Sequence, residues 1–322
     1  MIATLVIAIA AGCASALMFA SIISGALISL LLFYLAPLPL MVTALGWGPL
    51  AASIGGIAAA IGLGAIFGMP YCIAFAITVA LPAWWLGHLA LLGRPMPATA
   101  GNGAAQPPPA LEWYPVGRLL LWIAGFAVMT TMAVLLTLGT DADTINGTLR
   151  HGLLEILKRA EAGSSGDVER VIDAIVLVAP TAAAIMAMLT LTLNLWLAAK
   201  ITQTSGRLQR PWPNLRSTTL PPMTLVALCV AIALCFVGGL VGMVARIVTT
   251  ALLIDYAFIG FAVLHTLTLS LNSRAFWLSC AYAAILLFGW PILAMAGIGL
   301  ADAVFGFRER YLRGRPPPLP AS

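Results

Sequence analysis

Apolar residues fill the first part of this chain to the exclusion of formal charge. Between Met1 and Gly93 the sequence contains no Asp, Glu, Lys or Arg, and the first charged side chain is Arg94. Charged residues are almost never fully buried, so a water-soluble domain of this length would carry some of them on its surface. A helix crosses a bilayer core of about 30 Å with about 20 apolar residues, so this stretch predicts several membrane-spanning helices.

Prolines, glycines and charges divide the apolar runs into separate helices. Residues 3–35 are too long for one span and predict two helices joined near Ala20, the second ending before Pro37. The other predicted helices before the last third of the chain cover residues 48–67, 71–92, 119–138 and 172–199. The last third contains further apolar segments at residues 223–245, 247–271 and 276–301.

Three polar segments separate or follow these helices. Residues 93–118 are rich in Gly and Pro and have no apolar period, which predicts a flexible linker. Residues 140–171 place apolar residues at helical spacing on one face, which is typical of an amphipathic helix that lies on the membrane surface or covers the mouth of the bundle. Residues 304–322 form a basic, Pro-rich tail. We expect one integral membrane domain over residues 1–322.

The basic residues predict an orientation, because loops rich in Lys and Arg near helix ends stay in the cytoplasm. Residues 93–118 and the basic loop 200–216 are then cytoplasmic, and residues 140–171, with six acidic and four basic residues, are external. Three complete spans after the basic loop would leave the basic tail outside. Either one of the last three segments is re-entrant or broken, or the tail departs from the rule. Asp255 and Gly260 make the middle segment the candidate for a broken helix.

The composition is typical of a membrane protein, and nothing in it indicates a cofactor. The chain is 61% hydrophobic and 8% charged, against about 25% charged residues in ordinary globular domains. We predict an all-α, polytopic membrane bundle of eight or nine helices. The net charge of +5 fits membrane orientation better than nucleic-acid binding. The five cysteines show no CxxC spacing, so we expect no metal site.

A ridge of small residues marks the third predicted helix. Small side chains at every fourth position let another helix approach closely, and internal helix packing is the favoured interpretation. A homodimer face, a partner face or the wall of a substrate cavity are the alternatives. The ridge consists of Gly48, Ala52, Gly56, Ala60, Gly64 and Gly68.

Polar residues inside spans are costly and therefore suggest function. Asp255, His265 and Asn194 are the candidate substrate-binding residues, and the alternative for each is a polar group satisfied by neighbouring helices. On a continuous helix Asp255 and His265 would lie about 15 Å apart and would not pair. The sequence contains no Walker A, GxSxG or HExxH motif, and we predict that the protein is not an enzyme.

Three short stretches together carry a family resemblance. They are Glu112 to Arg118 (EWYPVGR), Leu253 to Leu264, and Gly299 to Arg308. With the uncharged N-terminal third, the chain resembles the YybS-like bacterial membrane proteins. That family is distantly similar to the substrate-binding S components of energy-coupling-factor transporters, which have about six helices. The resemblance carries over no substrate-binding residue.

The resemblance implies a transporter-like component of a bacterial inner membrane that binds a small molecule in a central cavity. The energy for uphill transport would come from an ion gradient or from a partner protein such as an energising ATPase. The lipid bilayer is the other expected partner. The alternative is a scaffold or regulator of a membrane protein complex that transports nothing. Asp255→Asn separates the two, because only a binding component would lose its ligand.

Overall fold

A computed structural model of the protein describes residues 2–95, 111–159 and 166–313, and most of this part of the chain is helical. Seven helical segments in it are long and apolar enough to cross a membrane. They cover Ile2–Ser24, Leu27–Trp47, Pro49–Phe67, Met69–Ala90, Val116–Leu138, Glu169–Thr204 and Gly239–Leu267. The chain is therefore a multi-pass, all-α membrane protein.

The chain divides into two compact units, Met1–Phe126 with Ala187–Pro213, and Ala127–Met186 with Asn214–Ser322. The first unit contains α1 (Ile2–Ala20), α2 (Leu27–Leu35), α3 (Pro37–Trp47), α4 (Pro49–Phe67), α5 (Met69–Phe75) and α6 (Leu81–Ala90). Two helices run from one unit into the other, α7 (Val116–Leu138) and α9 (Gly166–Thr204). The second unit contains α8 (Ala142–Arg159), α10 (Met223–Leu234), α11 (Gly239–Leu267), α12 (Arg274–Phe288), α13 (Pro291–Phe305) and α14 (Phe307–Arg313).

Glycines bring helices of the first unit into backbone contact. A Cβ added at Gly12 of α1 would meet the carbonyl oxygen of Gly55 in α4, and one at Gly55 would meet the carbonyl oxygen of Ala8. Gly87 of α6 faces a side chain instead, because a Cβ added there would meet the Cβ of Ala44 in α3. In lipid, close packing of this kind replaces the hydrophobic effect as the force that holds helices together.

The second predicted helix ends before Pro37, as expected, but the apolar segment continues past this proline as a further helix. α2 stops at Leu35, but α3 begins at Pro37, and together they form one apolar segment that reaches Trp47. A proline in the first turn removes no helical hydrogen bond, because the N–H at that position has no partner within the helix. The predicted end of the helix before Pro37 is therefore confirmed, whereas the continuation of the apolar segment as α3 was not predicted.

The two ends of the predicted linker are paired with each other. β1 (Gly93–Pro95) and β2 (Leu111–Trp113) form an antiparallel ribbon, in which the Arg94 guanidinium donates to the Glu112 carboxylate at 2.7 Å. The described chain does not include residues 96–110 of that linker. Residues 160–165 of the predicted external segment and residues 314–322 of the predicted tail also lie outside it.

The second unit has a hydrophobic core to which α7, α8, α9 and α11 contribute, formed by Leu135, Ile145, Ala184, Met243 and Ile247. Ile145 is fully buried and comes from α8, the helix that we predicted to be amphipathic. A partly exposed ion pair, 2.8 Å between Arg150 Nη1 and Asp173 Oδ1, also joins α8 to α9. The apolar face of α8 therefore packs against other helices of its own unit.

The last third of the chain breaks at different positions from those expected. α11 runs for 29 residues without interruption through Asp255 and Gly260, so the middle segment is not a broken helix. The breaks lie instead at Gly238, Gly239 and Gly289, where φ is positive and glycine is favoured. α10 has 12 residues, and α12 and α13 have 15 each. Helices of these lengths are too short to cross a core of about 30 Å by themselves.

Candidate functional site

Asp255 is a buried acid near the middle of α11. Its side chain is 0% exposed, and its neighbours along the helix, Ile254 and Tyr256, are also buried. Neither carboxylate oxygen has a hydrogen-bond partner among the residues that the structure describes. Transfer of an ionised carboxylate into an apolar interior without a partner is very costly, so the group must be neutral or must bind something positive.

Two glycines bring α13 against α11 close to this acid. A Cβ added at Gly260 would meet the carbonyl oxygen of Met295, and one added at Gly299 would meet the carbonyl oxygen of Tyr256. The two backbones are therefore in direct contact one turn after Asp255. Such an interface fixes the position of α11 and leaves no space for a larger side chain at either glycine.

His265 lies on the same helix as Asp255 but in a different environment. Its Nε2 is 2.8 Å from the hydroxyl oxygen of Tyr282 in α12, and its Nδ1 is 3.4 Å from Nη2 of Arg274. Because α11 is continuous, the ten residues between Asp255 and His265 correspond to about 15 Å. The two predicted binding residues therefore do not form one site, and His265 belongs to a group at the end of α11.

Asn194 belongs to the first unit, whereas Asp255 and His265 belong to the second. The Asn194 side-chain N–H groups donate to the carbonyl oxygens of Tyr34 at 2.8 Å and Thr190 at 2.7 Å. Its amide oxygen is buried and has no hydrogen-bond partner among the described residues. The side chain thus joins α9 to α2 within the first unit, as a polar group that stabilises helix packing.

The small-residue ridge of α4 contains two kinds of position. A Cβ at Gly56 would lie 3.1 Å from the Cβ of Ala80, and one at Gly64 would lie 3.0 Å from the Cβ of Cys72. Gly48 and Gly68 instead flank α4, with φ values of 98° and 93° that favour glycine. The ridge positions between them are small and at least partly buried, and they include Ala52 and Ala60.

A second buried acid, Asp302, is fully paired. The Arg308 side chain donates from Nε to Asp302 Oδ2 at 2.7 Å, and the Arg308 backbone N–H donates to Oδ1 at 2.9 Å. The chain reverses between them at Gly306, where φ is 63°. Arg308 Nη1 also donates to the carbonyl oxygens of Arg216 at 2.7 Å and Thr218 at 2.9 Å. This network attaches the start of the tail to the segment that precedes α10.

α12 and α13 leave and return at the same end of α11. α12 begins with Arg274, which contacts His265 in the last turn of α11. Soon after α13 ends, Arg308 bonds to the carbonyl oxygen of Arg216, which lies in a short turn, Leu215–Ser217, that contacts α11. A pair of short helices with both ends on one side is the geometry of a re-entrant hairpin, with its turn at Gly289 and Trp290.

Comparisons with known proteins add no identification. No family model, no curated protein and no solved structure matches this chain. Within the described residues there is also no group of three or more His, Cys, Asp and Glu side chains that could hold a metal ion. The chemistry of the site must therefore be read from Asp255 and from the cluster around His265.

Several residues of this region escaped the sequence analysis. Tyr282 and Arg274 contact His265 from α12, and nothing in the spacing of the sequence indicates that α12 turns back towards α11. The Asp302 and Arg308 pair could have been found, because an acid and a base six residues apart with a glycine between them is a local signal. Its pairing identifies Asp302 as structural and leaves Asp255 as the unexplained acid.

Proposed function

We propose that this protein is a transporter-like component of a bacterial inner membrane that binds a small molecule at Asp255. The observation that carries the proposal is the Asp255 carboxyl group, fully buried and without a partner among the described residues. An unpaired buried acid lowers the stability of the fold, so a function would explain its presence. Ionisable groups inside membrane helices are usually functional.

The chemistry of a lone buried carboxyl group restricts the ligand. A proton or a positively charged group, such as an organic ammonium, would remove the cost of the negative charge. A divalent metal ion would need further ligands, and no group of three candidate ligands exists in the described chain. We therefore assign Asp255 the binding of a proton or of a cationic group on the small molecule.

Helix lengths and charge support a count of eight crossings. Seven long helices cross the membrane, and α10 with the turn at Gly238 supplies an eighth, shorter crossing. The α12–α13 pair enters and leaves on the cytoplasmic side. This arrangement keeps the basic tail, with Arg308 and Arg310, on the same side as the basic loop, which agrees with the positive-inside rule.

The absence of a Walker A motif in the sequence limits the energy sources for transport. Without a Walker A motif, uphill movement of the molecule would use a proton gradient through Asp255 or a partner ATPase. The resemblance to S components favours a partner, whereas the chemistry of Asp255 favours a proton. The scaffold alternative relied on the ridge of α4, but Gly56 and Gly64 are already in contact within the first unit.

Chemical labelling of the carboxyl group tests this function directly. Dicyclohexylcarbodiimide is an apolar reagent that modifies protonated carboxyl groups inside membranes. We expect it to label Asp255 and not the paired Asp302, as measured by peptide mass spectrometry of the full-length protein. Native mass spectrometry of gently purified wild-type protein and Asp255→Asn then compares the bound species. A ligand retained equally by both proteins, or no label on Asp255 between pH 5 and 8, would overturn the proposal.

A further inference from the structure

A cluster of basic side chains surrounds the end of α11. His265 contacts Arg274, and the short turn Leu215–Ser217, which carries the exposed Arg216, packs against α11. Neither arginine forms an ion pair with an acid that the structure describes, and Nε of Arg274 is buried without a hydrogen-bond partner. The neighbouring Arg308, by contrast, is neutralised by Asp302.

Several other cations of the described chain have a partner. Arg94 pairs with Glu112, and Arg150 pairs with Asp173. In the basic loop, Lys200 lies 4.0 Å from the ring centre of Trp212, and Arg207 lies 4.6 Å from that of Trp47. The pair of arginines around His265 therefore concentrates positive charge that no described acid or aromatic ring balances.

The hydrogen bonds within the cluster also leave the Tyr282 hydroxyl free to donate. A guanidinium can only donate, so His265 Nδ1 must accept from Arg274, and the ring proton is then on Nε2. Nε2 donates to the hydroxyl oxygen of Tyr282, and the hydroxyl hydrogen of Tyr282 points away from the ring. Phe261 stacks on Tyr282 at 5.4 Å between ring centres and holds it in place. The hydroxyl hydrogen of Tyr282 has no acceptor among the described residues.

We propose that Arg274, Arg216 and the Tyr282 hydroxyl form a binding site for a phosphate-bearing anion at the cytoplasmic end of α11. Two guanidinium groups supply charge-assisted donors, and planar donors of this kind suit phosphate oxygens. The first turn of α12 starts at Arg274, and Ser273 makes no capping hydrogen bond there, so backbone N–H groups reinforce the positive potential. Basic pockets between membrane helices on the cytoplasmic side bind lipid head groups in the same way.

Two sources could supply this anion, the head group of an acidic lipid or a soluble phosphate compound. His265 lies in the last turn of a membrane-spanning helix, and Tyr282 is 39% exposed, so the site is open at the height of the head groups. The site is about 15 Å along α11 from Asp255 and does not depend on the function proposed for that residue.

Lipid titration of the purified full-length protein tests the site. Phosphatidylglycerol is added to wild-type protein and to the double variant Arg216→Gln/Arg274→Gln, and bound lipid is counted by native mass spectrometry. Each arginine near the head groups is worth about fivefold in affinity, so the double variant should bind about 25-fold more weakly. Arg118→Gln removes one positive charge at an exposed position of the first unit; it is the matched control for the single variant Arg274→Gln and should bind as wild type does.

A competition assay distinguishes the two sources of the anion, and further variants control for misfolding. Competition by millimolar inorganic phosphate would identify a soluble phosphate compound, and its failure to compete would identify the lipid. Arg216→Lys/Arg274→Lys keeps both charges and should retain most of the binding. Tyr282→Phe should weaken binding further by removing one donor. Equal lipid binding by the double Gln variant and by the Arg118→Gln control overturns the proposal, as does a Lys variant that binds as weakly as the Gln variant.

Discussion

Asp255 and Asp302 are two buried acids of the same unit with opposite surroundings. Asp302 is 6% exposed and accepts two hydrogen bonds from Arg308, which is itself 7% exposed. Asp255 is 0% exposed and has no partner among the described residues. Asp302 therefore stabilises the fold through its pairing, whereas Asp255 makes no such contribution. The function that we propose therefore uses Asp255 and not Asp302.

Breaking the Asp302 network should produce the largest effect. Arg308→Met leaves a buried carboxylate unpaired and removes donors from the carbonyl oxygens of Arg216 and Thr218, so we expect a loss of about 3–5 kcal/mol in unfolding free energy. Unfolding in mixed detergent measures it. The double variant Asp302→Leu/Arg308→Met removes both charges and should recover much of the loss. A single variant as stable as wild type would contradict the structural role of the pair.

The contact between α11 and α13 should give the next largest effect. Gly299→Ala forces a Cβ against the Tyr256 carbonyl oxygen and should cost about 1–3 kcal/mol. Gly297 lies on the same helix with no atom near its Cβ position, so Gly297→Ala should be neutral or stabilising. The comparison uses thermal unfolding of both variants. Equal stability would mean that the two backbones are not in contact.

Replacing Asp255 should change stability little, in contrast to Asp302. Asp255→Asn resembles the neutral acid in shape, and Asp255→Leu replaces a polar group without a partner by an apolar one of similar shape. We expect unfolding free energies within about 1 kcal/mol of wild type for Asn, and equal or higher stability for Leu. The same detergent unfolding assay measures them. A large destabilisation by either substitution would show that Asp255 is structural, as Asp302 is.

The smallest effect concerns an exposed acid, Asp141, which precedes α8. Thr144 donates to it from its hydroxyl at 2.6 Å and from its backbone N–H at 2.9 Å, and these bonds lower the pKa of Asp141. Because the folded pKa lies below the unfolded value, the cap contributes fully above the unfolded pKa and is lost as pH falls through the folded one. Hydrogen exchange in the first turn of α8 should accelerate over that acid range, after correction for intrinsic rates. Asp141→Asn should abolish the acid-dependent part of the change.

Spans bounded by clear local signals could be predicted from the sequence. Residues 48–67 were expected to form a helix, and α4 covers Pro49–Phe67, because Gly48 and Gly68 end it on both sides. The predicted helix at residues 119–138 likewise corresponds to Val116–Leu138. In both cases the residues that stop the helix are neighbours in sequence, so no knowledge of tertiary structure is needed.

Features that depend on a second helix could not be predicted. Gly260 suggested a break in α11, but it lies inside the helix and packs against the backbone of Met295. Met295 lies 35 positions further along the chain. The break at Gly289 lies inside an uncharged apolar run, although the sequence Gly289-Trp290-Pro291 is a turn signal that could have been read. The cluster at His265 needs Tyr282 and Arg274 from another helix, so its residue partners were not predictable.

The bond between Arg308 and the Arg216 carbonyl oxygen has a consequence for biosynthesis. The donor is 92 residues further along the chain than its acceptor. A ribosome adding about 5–20 residues per second reaches Arg308 roughly 5–20 s after Arg216. During that interval the nascent chain carries unmatched carbonyl groups and, once Asp302 is made, an unmatched acid beside the translocon. Closure of this end of the second unit is therefore among the last events of synthesis, and a ribosome that stalls just before Arg308 should expose a substrate for membrane quality-control proteases.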